Sequence, residues 1–187
     1  MADKVFKMPN AVKISGRVSS ITNSFINGII PCISPSDSDI SEALEVLGMD
    51  ATTICCSYCG DRYTEWDHFR PLIEGKKATG YISEIQNLVP SCGKCNQSKG
   101  NRHWRDWITG PASLSPTSRK VPHLETRIAY LAEFENWRPP TRIDFAEIVG
   151  LQLWDEYSRT RDELEVTMQQ AQELSSRVKT ALARALE

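Results

Sequence analysis

Long hydrophobic runs are missing from this 187-residue chain. No stretch approaches the ~20 apolar residues of a membrane span. The opening MADKVFKMPNAVK holds no apolar run of signal-peptide length. A cytoplasmic setting with no membrane partner is the expectation. Histidine is scarce, at His68, His103 and His123 only, so imidazole chemistry has few places to occur. A basic excess is missing as well: the net charge of −2 leaves no whole-protein electrostatic footprint for nucleic acid. The charge is uneven, however. Residues 21–50 hold no Lys or Arg, whereas residues 60–105 hold eight basic groups against five acidic ones. A basic centre in an acidic protein permits a nucleic-acid partner without requiring one. Hydrophobic content of 40% and charged content of 25% are those of a soluble globular protein with one core.

Cysteine is what the chain has in an ordered pattern. Cys56 and Cys59 form one Cys-x-x-Cys pair and Cys92 and Cys95 another, with 32 residues between them. In a cytosolic protein this reads as a zinc site, because two paired knuckles offer four thiolates to one tetrahedral ion. Cys32 and Cys55 are left over. Cys55 competes with Cys56 as a ligand, but only 56 to 59 has the two-residue gap.

Along the chain, SPSDSDISEALEVLG has the cap residues, the 3–4 spacing and the terminal glycine of a short helix. TTICC has strand character. Residues 109–122 read as a polar connection rich in Pro and Ser, and HLETRIAYLAEFENW as a helix ended by Pro139 and Pro140. From Phe145 onward there is no proline and a single glycine. There Leu164, Met168, Ala171, Ser175, Val178, Leu182 and Ala185 alternate at spacings of 4 and 3, a heptad seam on a long helix. That seam packs on its own domain or pairs two copies of the chain. The divisions drawn are 1–50, an N-terminal segment and candidate recognition element; 51–108, the zinc-bound core; 109–144, linker and helix; and 145–187, the long helix.

Residues 56–107 carry the chemistry. Tyr63 to His68 predicts a strand, residues 69–84 a flexible loop, Asn87 to Ser91 a returning strand, and Asn96 onward a helix with Trp104, Trp107 and Ile108 on its apolar side. The ordered motifs are C-x-x-C, Asp67-His68, Asn87-Leu-Val-Pro and C-x-x-C-N-x-x-K-G. In that combination the block resembles the HNH nuclease family, the ββα-metal fold, in its branch with two zinc knuckles. The resemblance implies a zinc-stabilised ββα core; with the mostly helical flanks and the long C-terminal helix read from periodicity, an α+β protein is expected.

The resemblance also implies roles. His68 would be the general base that activates water, a task suited to imidazole. Asp67 and the Asn96 amide oxygen would hold one divalent ion, Mg²⁺ or Mn²⁺, as oxygen donors do. Asn87 would orient the base by hydrogen bonding across the hairpin. Zinc at the four cysteines would hold the scaffold. Lys99, Arg102 and Arg105, along one helix, would contact backbone phosphates of DNA. Strand alternation points Asp67 and His68 to opposite sides, so a bend between them is expected. Two family features are absent. GKKATG replaces a Gly-Gly pair, and Gly100 stands where a second helix histidine often sits. The expected function is a site-specific, restriction-type DNA endonuclease acting as a dimer. The competing class is a non-catalytic zinc module that binds nucleic acid or protein.

Overall fold

The computed structural model describes residues 10–186. Lys4 and Lys7 lie outside them. By internal contacts the chain divides into two units, one formed by Met1–Phe25 with Val149–Glu187 and the other by Ile26–Ile148.

The first unit is helical. A 3₁₀ turn at Ser15–Arg17 leads into α1 (Val18–Asn27), most of which belongs to this unit, and α7 (Leu151–Ala185) is its 35-residue partner. The Ser15 N–H donates to the Gln172 side chain at 3.3 Å, and the Tyr157 hydroxyl donates to the Phe25 carbonyl at 2.5 Å. The segment therefore runs antiparallel to α7. Leu164, Met168 and Ala171, the first half of the heptad seam, are half-buried, whereas Val178 and Leu182 are exposed. The long helix expected from Phe145 is broken. α6 (Phe145–Val149) ends at Gly150, whose φ of 88° is one that only glycine adopts without strain.

The second unit is built on a short antiparallel pair. β1 (Glu65–His68) pairs with β4 (Leu88–Ser91) in the register Glu65↔Ser91 through His68↔Leu88. α3 (Gly93–Lys99) starts directly after Cys92, completing strand, strand, helix. Such a unit is too small to bury much apolar surface by itself, and two flanking helices supply the rest. α2 (Asp37–Val46) is capped by Ser36, which forms a reciprocal capping box with Asp39. It contributes Ala43 and its C-cap Leu47, while α5 (Leu124–Trp137) contributes Leu131 and Phe134, all to one core with Tyr58, Phe69, Val89 and Trp104. Phe69 stacks on Trp104 at 5.3 Å and meets Phe134 edge-on at the same distance. Each such buried side chain contributes about 1.5–3 kcal/mol.

Three local expectations change. TTICC forms no strand: Thr53 closes a turn on Asp50, and the Cys56 N–H donates to the Asp61 carbonyl inside the knuckle. The helix expected from Asn96 onward is two helices, α3 and α4 (Trp104–Ile108). Gly100, at φ 51°, stops the first, and the extended His103 opens the second. Residues 69–84 hold a small hairpin, β2 (Ile73–Glu74) with β3 (Lys77–Ala78), turned by Gly75 and Lys76 at positive φ. The Pro- and Ser-rich connection is also ordered, with Ser115 fully buried.

Candidate active site and metal centre

Four sulfurs meet where the knuckles close. The Sγ atoms of Cys56, Cys59, Cys92 and Cys95 all lie within 4.8 Å of one another, and Cys59 and Cys92 are 3.7 Å apart. Tetrahedral zinc at ~2.3 Å from each sulfur sets neighbouring sulfurs about 3.8 Å apart, so the cluster fits that ion. Cys55 takes no part; its thiol lies 3.6 Å from the Met49 sulfur. Arg119, from the connecting segment, donates to Cys95 Sγ at 2.9 Å and offsets thiolate charge. Arg127 donates to the Cys56 carbonyl at 3.3 Å.

Asp67 faces the interior of the ββα unit. It is buried, and its Oδ2 accepts from the Tyr58 hydroxyl at 2.6 Å and pairs with Lys99 Nζ at 3.1 Å. The same ammonium donates to the His68 carbonyl at 2.7 Å. Burial pushes the Asp67 carboxyl up and the Lys99 ammonium down, while their mutual attraction opposes both shifts. Lys99 is thus not on the helix surface where phosphate contact was expected. It sits inside the unit and ties the carboxylate to the backbone of the next residue.

His68, the last residue of β1, points the other way. Its Nε2 lies 2.7 Å from Ser83 Oγ, and burial, then the charge of Lys99, lowers its pKa to about 4. The ring is therefore uncharged at neutral pH. The β1–β4 register is continuous through both residues, so the bend expected between Asp67 and His68 is not in the strand.

Asn87 is fully buried in the 3₁₀ turn Ile85–Asn87. Its Oδ1 accepts from the Arg70 N–H at 2.7 Å, and its Nδ2 donates to the carbonyls of Arg70 and Ile82, each at 3.2 Å. It ties the loop after His68 to the segment before Ser83 rather than touching the imidazole. Asn96 is half-buried on α3, one turn before Lys99 and on the same stripe as Cys92 and Lys99. Arg102 folds back onto the Ser98 and Lys99 carbonyls, closing the end of α3. Arg105 pairs with Glu135 at 2.5 Å and lies over the Trp104 ring. The break at Gly100 removes both arginines from the helix of Lys99.

The residues that sequence reading missed are Tyr58, Ser83 and Arg119. Tyr58 sits between two cysteines, Ser83 lies 15 positions from His68, and Arg119 lies in a segment that reads as linker. None carries a spacing signal.

The family model described as HNH endonuclease matches residues 56–102. Searches of curated proteins and of solved structures returned no match. Residues 56–102 are an HNH endonuclease domain, here with a four-cysteine cluster positioned to bind a metal. A domain of this class supports a metal-dependent nuclease in general.

Proposed function

We propose that the chain is a DNA endonuclease that hydrolyses phosphodiester bonds with His68 as general base. The observation that carries this reading is the match of residues 56–102 to the HNH endonuclease family model, within which Asp67 and His68 lie on β1 and Asn87 directly precedes β4. Asp67 meets Tyr58 and Lys99 through Oδ2, which leaves its second oxygen, with the Asn96 amide oxygen, to hold Mg²⁺ or Mn²⁺. When bound, such an ion polarises the scissile phosphate and stabilises the departing 3′ oxygen. His68 takes a proton from the attacking water. Asn87 holds the loop that follows it. The exposed Arg102, which pairs with no carboxylate among the described residues, is the side chain best placed for phosphate among the three basic residues first considered.

We also infer site-specific cleavage by a homodimer paired through the exposed second half of the α7 seam. A palindromic site matches a two-fold protein.

The test is plasmid nicking with Mg²⁺ or Mn²⁺, comparing wild type with His68→Ala. Cleavage should fall by roughly 10²–10⁴-fold in the variant, with zinc content unchanged. Equal cleavage by the two proteins overturns the assignment of the base. Digestion of a phage genome to discrete bands supports site specificity, and a smear counts against it.

A second reading has one observation in its favour. The Lys99 ammonium already neutralises Asp67, as suits a zinc module that binds nucleic acid or protein without cutting. Wild type that cleaves no DNA under any divalent ion favours that reading.

A further inference from the structure

We propose that Ser83 positions the base: its hydroxyl accepts the Nε2–H of His68 and leaves Nδ1 as the nitrogen that takes the proton from water. This rests on the reading of His68 as the base, and it deepens that reading to one residue and one ring nitrogen.

Three observations converge. First, the contact is short, at 2.7 Å between His68 Nε2 and Ser83 Oγ. A neutral imidazole has one N–H and one lone pair, and the partner of one nitrogen decides which is which. With Nε2 turned to the serine, Nδ1, which has no partner among the described residues, is left for a water, and it is basic only if Nε2 holds the hydrogen.

Second, Ser83 is held in place before any substrate arrives. Its N–H donates to the Pro31 carbonyl at 3.0 Å, and its carbonyl accepts from the Ile33 N–H at 2.8 Å. On one side the Ile82 carbonyl accepts from Asn87. On the other, the buried Glu84 carboxylate accepts from the Thr141 N–H at 2.5 Å and its hydroxyl at 2.9 Å. Three consecutive residues are thus pinned by three separate segments, as a preorganised support for a catalytic group requires.

Third, the residue expected to orient the base does not touch the ring. All three hydrogen bonds of the Asn87 amide go to the backbone of residues 70 and 82. It secures the chain on both sides of the His68–Ser83 contact. The hydroxyl makes the contact.

The reaction balances with these groups. Water gives a proton to Nδ1 and its oxygen bonds to phosphorus. The bond from phosphorus to the 3′ oxygen breaks, and that oxygen takes a proton from solvent. The imidazolium keeps its Nε2–H on Ser83 throughout.

The experiment uses the full zinc-loaded chain, labelled with ¹⁵N, as wild type, Ser83→Thr and Ser83→Val. Thr and Val have the same shape and differ in the hydroxyl. Ring ¹⁵N signals should show His68 protonated on Nε2 in wild type and Ser83→Thr, and a mixture of tautomers in Ser83→Val. With Mg²⁺ or Mn²⁺ and plasmid DNA, Ser83→Val should lose roughly 10–100-fold in kcat with KM within about twofold, and Ser83→Thr should recover most of it. Equal zinc content among the three shows that the fold is kept. Wild-type His68 protonated on Nδ1 overturns the proposal, and so does Ser83→Val with wild-type kcat and an unchanged tautomer. The His68→Ala control separates two kinds of failure. Cleavage lost in His68→Ala but full in Ser83→Val sinks the serine role alone. Cleavage undiminished in His68→Ala sinks the base reading and the serine role with it.

Discussion

Lys99 is the residue whose placement most alters the picture of the site. A lysine at the end of a short helix in a nuclease is an obvious phosphate contact, yet this one is 1% exposed and bound to Asp67 and the His68 carbonyl. Two ionisable groups are then buried in one unit, and removing one strands the other. Lys99→Met should destabilise the protein by about 3 kcal/mol or more, read from urea unfolding at fixed zinc. The double variant with Asp67→Asn should lose less than Lys99→Met alone, because a neutral amide can still accept from Tyr58. Additive losses in the two single variants would show that the pair is not coupled.

Among the elements, α2 was the most legible in advance. Ser36, Asp37 and Asp39 supply the cap locally, so no tertiary contact is needed to start the helix. Ser36→Ala should cost about 1 kcal/mol in urea unfolding. The carboxyl of Asp39 is lowered to about 2 by the Ser36 hydroxyl, with the Arg138 guanidinium adding to it. A lowered folded value means that its contribution is complete above the ordinary 3.8 and fades as pH falls toward about 2. The difference in urea midpoint between wild type and Asp39→Asn should therefore be the same at about pH 5 and about pH 8. A difference that shrinks between those values would contradict the assignment. α3 and α4 were less legible. No proline parts residues 93–108, and the backbone at Gly100, with φ 51°, divides them.

At the scale of the molecule, the long helix has two halves with different surroundings. Residues 15–25 run along α7 as far as Gln172, whereas Leu174, Val178 and Leu182 stand exposed. Should that second half pair two copies, Val178→Glu with Leu182→Glu would convert a dimer to a monomer in sedimentation at micromolar concentration. Wild type sedimenting only as a monomer, with and without DNA, would remove the dimer. No helix of the described residues is long and apolar enough to cross a membrane.

The zinc cluster and the strand–strand–helix order were readable from the amino acids, because ligand spacing and motif order are local and chemically restrictive. Asp67, His68, Asn87 and Asn96 were proposed as site residues for the same reason. Their partners were not. Ser83 reaches His68, and Tyr58 and Lys99 reach Asp67, across separations of 15, 9 and 32 positions that follow no periodicity. Which face of β1 each side chain takes follows from alternation. What waits on each face depends on how distant segments pack, here Pro31–Ile33 and Thr141 behind Ser83 and α3 against Asp67. The sequence by itself determined a ββα unit closed by four cysteines and named the candidate residues of its site. Only the tertiary structure decided that the lysine is buried against the aspartate and that a serine meets the histidine. Long-range packing sets those contacts, and no local pattern encodes it.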